Sequence, residues 1–473
     1  MLFNSTEFLI FIAIVLPVYF VLNLKAQNVF LLVASYVFYG WWDWRFLLLI
    51  FASSCVDYFV SRAMNTAEGT YRLRLLQLSI LFNLGALATF KYFNFFIDSF
   101  IALGATVGLN LDTPALRLIP PVGISFYTFQ TMSYSIDVYY RRIKPERSFL
   151  TFALFVSYFP QLVAGPIERA SRLLPQLNQA RRVSIDDLKS GLVLILIGLF
   201  KKVVIADNAG VRVDAIFSNP SQMSTVSLWA GALLFTLQIY GDFSGYSNIA
   251  RGTSRLLGIR LMENFKTPFF SKNIAEFWRR WHISLSEWLR DYLYIPLGGN
   301  RLGQYKTYRN LAATMLLGGL WHGAAWTFIA WGGLHGLYLM VHRYWQTIRP
   351  TPMPKPAHSL ARTIVSDGLA MLLTLFAVVI AFVFFRVDTF SNGFNYLQGM
   401  FTWHGRIALS DILRVAGLAA LILPLEIIQY CHNGYLLGVR KTSLFIRVPL
   451  YALMLIALLL TSNNEVPFIY FQF

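Results

Sequence analysis

The sequence predicts an all-α, polytopic integral membrane protein with roughly 11–12 membrane elements, counted from apolar runs near bilayer length. Three observations lead to this prediction: apolar runs recur along the whole chain, charged residues are scarce, and short basic loops separate the runs. Of the 473 residues, 56% are hydrophobic and 13% are charged, whereas soluble proteins carry about 25% charged residues. The mean hydropathy is +0.54. This excess of apolar residues requires a lipid solvent.

The net charge of +17 would suggest a nucleic-acid partner in a soluble protein. Here the basic residues lie in short loops, which is the positive-inside pattern of membrane proteins. We therefore expect attraction to anionic membrane lipid and no nucleic-acid partner. Cys55 and Cys431 are far apart in apolar surroundings, so we expect inert core cysteines rather than a disulfide or a metal pair. The first apolar stretch lacks a cleavage site and is predicted to be a retained helix.

In the first half of the chain, spans are predicted at residues 7–23, 29–42 and 46–60. A longer run at 75–103 contains Lys91, near which we expect it to break into two segments. Two prolines followed by Gly123 delay the next helix until after that glycine. The run at 149–164 has basic loops on both sides, which favours a re-entrant pair over a simple crossing.

In the second half, a run at 191–200 ends at Lys201-Lys202, and a run at 226–240 leads into the polar, glycine-rich stretch 241–248. Irregular backbone is expected there, buried in protein or lining a cavity. Residues 276–294 are predicted to form one interfacial helix. One stripe of this helix consists of Trp278, Trp281, Leu285, Trp288 and Tyr292.

Further apolar runs are predicted at 310–338, 369–385, 413–427 and 448–460, with a basic, proline-rich cytoplasmic loop at 342–362. No repeat of fixed period is visible. We expect a single domain over 1–473, with a core at 1–390 and C-terminal helices at 391–473.

Two histidines are the candidate catalytic residues. His322 lies in Trp-His-Gly within an apolar run, and an ionisable group inside a membrane segment is a functional hypothesis by default. A neutral imidazole can take a proton from a hydroxyl near pH 7, but a hydrogen-bonded packing histidine explains the local sequence equally well. His282, in the interfacial helix, is the weaker candidate. We hypothesise that both face one reaction site, whereas His335 lies about 140° away from His322 on an ideal helix and is predicted to be structural.

Other motifs do not point to a second kind of chemistry. The histidines and cysteines lack metal-ligand spacing, and there is neither a phosphate loop nor a nucleophile elbow. The acids Asp137, Asp242 and Asp291 lie near arginines or polar turns and are predicted to form salt bridges. Arg290 and Asp291 could also orient His282 or a substrate.

Several motifs together resemble the membrane-bound O-acyltransferase family. They resemble most the bacterial branch that contains alginate O-acetyltransferases, peptidoglycan O-acetylation proteins and teichoic acid D-alanyl transfer proteins. The resemblance runs from the N-terminus to about residue 390. The matching motifs include Trp281-His-Ile-Ser284, Gly318-Gly-Leu-Trp-His-Gly323, Asp242-Phe-Ser-Gly-Tyr246 and Met262-Glu-Asn-Phe-Lys266.

The resemblance implies acyl transfer through a membrane-embedded tunnel, with His322 as the catalytic histidine and His282 as the second histidine of this branch. Trp321 would help to position the acyl carbonyl, and Arg290 and Asp291 would contact substrate. No bound cofactor is expected, and the basic stretch 279–309 could hold an anionic acyl donor such as acetyl coenzyme A.

The implied function is acetyl transfer from a cytoplasmic donor, across the bacterial inner membrane, to an exported polysaccharide such as alginate. A periplasmic or membrane-anchored partner protein would accept the acetyl group. Peptidoglycan O-acetylation is the alternative within the family. Two readings from other classes are a proton-coupled transporter or flippase and a scaffold for polysaccharide export.

Overall fold

The structure is a computed structural model that describes residues 1–112, 117–163, 165–348, 360–432, 443–461 and 468–469. The described residues form helices and connecting segments without a strand, which confirms the predicted all-α class. They cluster into two compact units. Unit 1 comprises Met1–Ile195 and Ser247–Met262, and unit 2 comprises Leu196–Tyr246 and Glu263–Phe473.

In the described part of the first segment of unit 1, ten helices begin. They are α1 (Thr6–Val21), α2 (Leu24–Gly40), α3 (Leu47–Thr66), α4 (Gly69–Leu87), α5 (Phe93–Thr106), α6 (Ile124–Tyr139), α7 (Phe149–Ser157), α8 (Phe159–Leu162), α9 (Ala170–Leu177) and α10 (Ile185–Leu199). Side-chain caps mark the starts of α1, α2 and α7, because Ser5, Asn23 and Ser148 accept backbone N–H groups of the first turns. As predicted, α6 begins directly after Gly123, whose φ of +76° is easily adopted only by glycine.

The remaining helices begin in unit 2. They are α11 (Asn208–Ser218), α12 (Thr225–Leu256), α13 (Ile274–Arg280), α14 (Ile283–Leu289), α15 (Gln304–His322), α16 (Trp326–Ile348), α17 (Leu360–Arg386), α18 (Phe390–Phe401), α19 (Leu409–His432) and α20 (Leu444–Thr461). Two π-helical segments, Phe200–Asp207 and Arg290–Tyr294, extend α10 and α14. The short helix α18 was not predicted from the sequence.

Five helical stretches among the described residues are long and apolar enough to cross a membrane, so the protein is a multi-pass membrane protein. They are Trp44–Thr66, Gly69–Thr106, Thr225–Leu256, Val365–Arg386 and Leu444–Thr461. The expected break near Lys91 is a π-helical segment, Ala88–Tyr92, within continuous helix. The run at 149–164 forms α7 and α8, both too short to cross a bilayer.

The prediction of irregular backbone at 241–248 is wrong, because α12 continues through this stretch. Its glycines instead allow another segment to approach closely. A Cβ at Gly241 would lie 2.8 Å from the carbonyl oxygen of Lys201, and one at Gly245 would lie 2.7 Å from that of Gly198. Glycine at these positions therefore serves packing between helices rather than a turn.

The prediction of a single helix at 276–294 is also wrong, because Trp281 and His282 interrupt the helix between α13 and α14. The run at 310–338 is two helices, α15 and α16, joined through Gly323. Cys55 is half-buried and Cys431 is exposed, so neither is a core cysteine. Residues 349–359 of the predicted loop at 342–362 lie outside the described residues.

Candidate active site

His322 is held at the end of α15 by a close helical hairpin. The backbone becomes extended at Gly323, and α16 then packs back along α15. A Cβ at Gly319 would lie 2.2 Å from the carbonyl oxygen of Phe328, and one at Gly332 would lie 2.2 Å from that of Met315. The glycines around His322 therefore admit the backbone of α16.

His282 lies at the break between α13 and α14, in a left-handed backbone conformation with φ +42°. This conformation is uncommon for a residue with a Cβ and occurs more often at functional sites. Asn264 supports the break, because its carbonyl oxygen accepts the N–H of Ile283 at 2.9 Å and its Oδ1 accepts the N–H of Ser284 at 3.2 Å. Tertiary hydrogen bonds thus replace those of a continuous helix.

The structure brings the two predicted histidines together. Their ring centroids are 6.1 Å apart with planes at 60°. The exposed fraction of His282 is 0% and that of His322 is 2%. The ring of Trp321 lies 5.0 Å from His322 and 5.8 Å from His282. A separation of this size is that of neighbouring rings in an edge-to-face arrangement.

Aromatic rings enclose both histidines. Trp331 and Phe385 lie 4.9 and 5.4 Å from His322, in edge-to-face arrangements. Phe243 lies 4.6 Å from His282, and Phe265 stacks on it at 6.5 Å. Burial lowers the pKa of His282 to about 3, because the apolar surroundings disfavour the charged imidazolium. His282 is therefore neutral at physiological pH and cannot supply a fixed positive charge.

The other predicted site residues lie in different surroundings. Arg290 Nε and Asp291 Oδ1 form an ion pair at 2.8 Å, and their side chains are 55% and 33% exposed. They are thus joined to each other at the surface, whereas the histidines are buried. His335 is buried and its Nδ1 accepts the indole N–H of Trp278 at 3.3 Å, in keeping with the structural role predicted for it.

A buried ion-pair network adjoins the aromatic residues. Lys202 Nζ lies 2.8 Å from Asp207 and 2.9 Å from Asp242, which precedes Phe243 in the chain. The backbone N–H of Ile469 also donates to Asp242, at 2.6 Å. The salt bridge predicted for Asp242 is confirmed, with a lysine as partner. Asp137 is likewise paired, with Arg142 at 3.0 Å.

Sequence reasoning missed four residues that shape this site, namely Asn264, Phe243, Trp331 and Phe385. The first two belong to motifs that carried the family resemblance, so their position in those motifs was an available signal. Trp331 and Phe385 lie in apolar runs with many aromatic residues. There, nothing in the sequence separates a ring at the site from an ordinary core ring.

A multi-pass helical membrane protein with two neighbouring histidines buried among aromatic rings has a site suited to proton transfer away from water. No group of acidic, histidine or cysteine side chains suitable for a metal ion occurs in the described part of the chain. The model of MBOAT, the membrane-bound O-acyltransferase family, matches residues 140–386. The chain belongs to this family, and it is an O-acyltransferase.

Curated relatives support the assignment. A probable alginate O-acetylase AlgI of Pseudomonas aeruginosa is 40% identical over 93% of this chain and 82% of that protein. A peptidoglycan O-acetyltransferase of Helicobacter pylori is 37% identical, covering 86% of this chain and 80% of the relative. A teichoic acid D-alanyltransferase of Bacillus subtilis is 30% identical over 49% of this chain and 61% of the relative.

Proposed function

We propose that this protein moves an acetyl group from cytoplasmic acetyl coenzyme A across the bacterial inner membrane, for O-acetylation of an exported polysaccharide, with alginate as the first polymer to test. The observation that carries the catalytic part is the pair of buried histidines, 6.1 Å apart between ring centroids. The names of several relatives support alginate as the polymer. The acetyl-accepting partner would be a periplasmic or membrane-anchored protein.

In the proposed reaction, the imidazole of His322 removes a proton from an acceptor hydroxyl while the hydroxyl oxygen attacks the acetyl carbonyl carbon. The bond from that carbon to the donor sulfur then breaks, and the departing sulfur takes the proton from His322. The products are an acetyl ester and a free thiol. His282 is neutral and buried, so its proposed role is to orient donor or acceptor by hydrogen bonding.

The remaining predicted site residues are assigned to binding. Trp321 lies against both histidine rings, which supports a role in positioning the acyl group. Arg290 and Asp291 begin the π-helical segment that extends α14, and their side chains are partly exposed. We assign Arg290 to the docking of the anionic donor, within the basic stretch 279–309, and Asp291 to the orientation of Arg290. For Arg290 this requires exchange of its carboxylate partner for a phosphate.

The test is the amount of ester-linked acetate on exported polysaccharide and on peptidoglycan, in cells that lack the gene and are complemented with variants. Wild type should restore the acetate, and His322→Ala, at equal abundance in the membrane, should restore less than about 1% of it because the general base is lost. His342→Ala is the matched control, since this histidine is half-buried and bonds the side chain of Gln346. It should behave as wild type.

Full restoration by His322→Ala would refute the proposed mechanism. If acetate returns on peptidoglycan alone, the acceptor is peptidoglycan, the polymer named for the Helicobacter pylori relative, and not an exported polysaccharide. If neither polymer gains acetate with wild type, the proposed acceptors are wrong.

A further inference from the structure

Trp331 carries an indole N–H group that no described residue accepts. Its side chain is 1% exposed, and its Nε1 has no hydrogen-bond partner within the described ranges. Buried donors almost always have an acceptor, and the tryptophan N–H can only donate. An unpaired buried donor beside a reaction site suggests an acceptor that arrives with the substrate.

Two other tryptophans of the same unit, the half-buried Trp229 and the buried Trp278, do have acceptors. The indole N–H of Trp229 donates to the carbonyl oxygen of Met400 at 2.8 Å, and that of Trp278 donates to His335 Nδ1 at 3.3 Å. The fold therefore supplies an acceptor for these two indoles. Trp331 differs from both, although its ring lies only 4.8 Å from that of His335.

The position of Trp331 is rigid. It precedes Gly332, whose Cα faces Gly319 in the closest part of the α15–α16 contact. Its ring lies 4.9 Å from His322 at an angle of 82° and 5.1 Å from Phe385. A donor fixed in this way beside the proposed base needs no rearrangement when negative charge develops.

We propose that the indole N–H of Trp331 donates a hydrogen bond to the carbonyl oxygen of the acyl group during transfer. When the acceptor oxygen attacks the carbonyl carbon, the carbonyl π electrons move onto this oxygen, and the N–H stabilises the resulting oxyanion. When the bond to the leaving group breaks, the carbonyl forms again. The inference rests on the proposed acyl transfer at His322.

The experiment compares Trp331→Phe with Trp278→Phe in the full-length protein, in inside-out vesicles of polymer-producing cells supplied with radiolabelled acetyl coenzyme A. Trp331→Phe keeps an aromatic ring but removes the donor. It should lower kcat by about 10²–10³-fold, as for loss of one oxyanion donor, with KM changed by less than about threefold. Trp278→Phe removes an indole N–H that donates within the protein, and its kcat should fall by less than about fivefold.

A third variant separates donation from packing. Trp331→His keeps a ring N–H but fills the site less well than phenylalanine does. Activity is divided by the amount of monodisperse protein recovered in detergent. On this basis, the kcat of Trp331→His should exceed that of Trp331→Phe. The reverse order, or a Trp331→Phe variant with at least half of the wild-type kcat, would refute the inference. If His322→Ala is inactive while Trp331→Phe keeps at least half of the wild-type kcat, the inference on Trp331 is refuted but the proposed function still holds.

Discussion

At the scale of single residues, the site depends on backbone geometry that a helical pattern hides. The periodicity of residues 276–294 predicts one helix, yet His282 adopts φ +42°. The cause lies outside the segment, because Asn264 accepts the N–H groups of both residues that follow His282. A local pattern cannot reveal hydrogen bonds to a distant asparagine. The identity of both histidines could nevertheless be predicted, since the family motifs contain them.

Asn264→Ala tests this support for His282. The substitution leaves the buried N–H of Ser284 without its acceptor, which costs about 1–3 kcal/mol, and it loosens the backbone at His282. We expect acetyl transfer per folded molecule to fall at least about tenfold, as for a displaced catalytic group.

Asn310→Ala is the control for Asn264→Ala. Its buried amide donates to two carbonyl oxygens, those of Leu297 and Gly299, at 3.0 Å each. Both variants should have lower thermal midpoints in detergent, but only Asn264→Ala should lose activity per folded molecule. Equal activity in the two variants would contradict the positioning role of Asn264.

At the scale of helices, glycine spacing predicts close approach but does not identify the approaching element. The sequence indicates close packing around His322, and the structure shows that α16 provides it. The same ambiguity explains why the prediction of irregular backbone at 241–248 is wrong, since the glycines and polar residues there lie in a continuous helix. The turn between α15 and α16 at Gly323 was not expected, because the apolar run has no proline or charged residue at this position.

Gly332→Ala and Gly333→Ala form a matched pair for this hairpin. A Cβ at Gly332 would lie 2.2 Å from the carbonyl oxygen of Met315, whereas one at Gly333 would make an ordinary 3.5 Å contact with Leu316. The first substitution must separate α15 from α16 and displace the ring of Trp331. We expect it to lower the thermal midpoint and to reduce acetyl transfer more than about 100-fold, because misplacement by about 1 Å has this effect.

Gly333→Ala should stay within about twofold of wild type, because a helical alanine replaces glycine in available space. The readouts are membrane abundance, the thermal midpoint in detergent and acetate on the polymer. Similar losses in both variants would mean that general intolerance of the hairpin to added volume, rather than backbone contact, accounts for the effect.

At the scale of the whole molecule, each unit contains buried polar groups that pair across long sequence distances. In unit 1, Asp57 accepts hydrogen bonds from Asn83 and Ser135, both at 2.7 Å. In unit 2, Lys201 pairs with Glu426, 225 residues away, at 2.8 Å. The sequence suggested that Lys201 flanks a membrane span, since lysine is usually found at such ends. Composition predicts which class of fold forms, but not which distant charges meet within it.

The Lys201–Glu426 pair gives a test of how such charges are tolerated. Their side chains are 0% and 4% exposed, and Glu426 also accepts the hydroxyl of Tyr240 at 2.7 Å. Lys201→Met leaves the buried carboxylate without this cation. Breaking a buried pair in this way costs about 3–5 kcal/mol, so the thermal midpoint and the membrane abundance should fall clearly.

Adding Glu426→Gln to Lys201→Met should recover most of the loss, because the amide is neutral and still accepts the hydroxyl of Tyr240. Replacement of both charges of a buried pair is often close to neutral. The exposed pair Arg117–Asp98, at 2.8 Å, provides the control. Arg117→Met should change the free energy of unfolding by less than about 1 kcal/mol. If the double variant is no more stable than Lys201→Met alone, the cost arises from lost packing of the lysine chain, and the charge of Glu426 is not its cause.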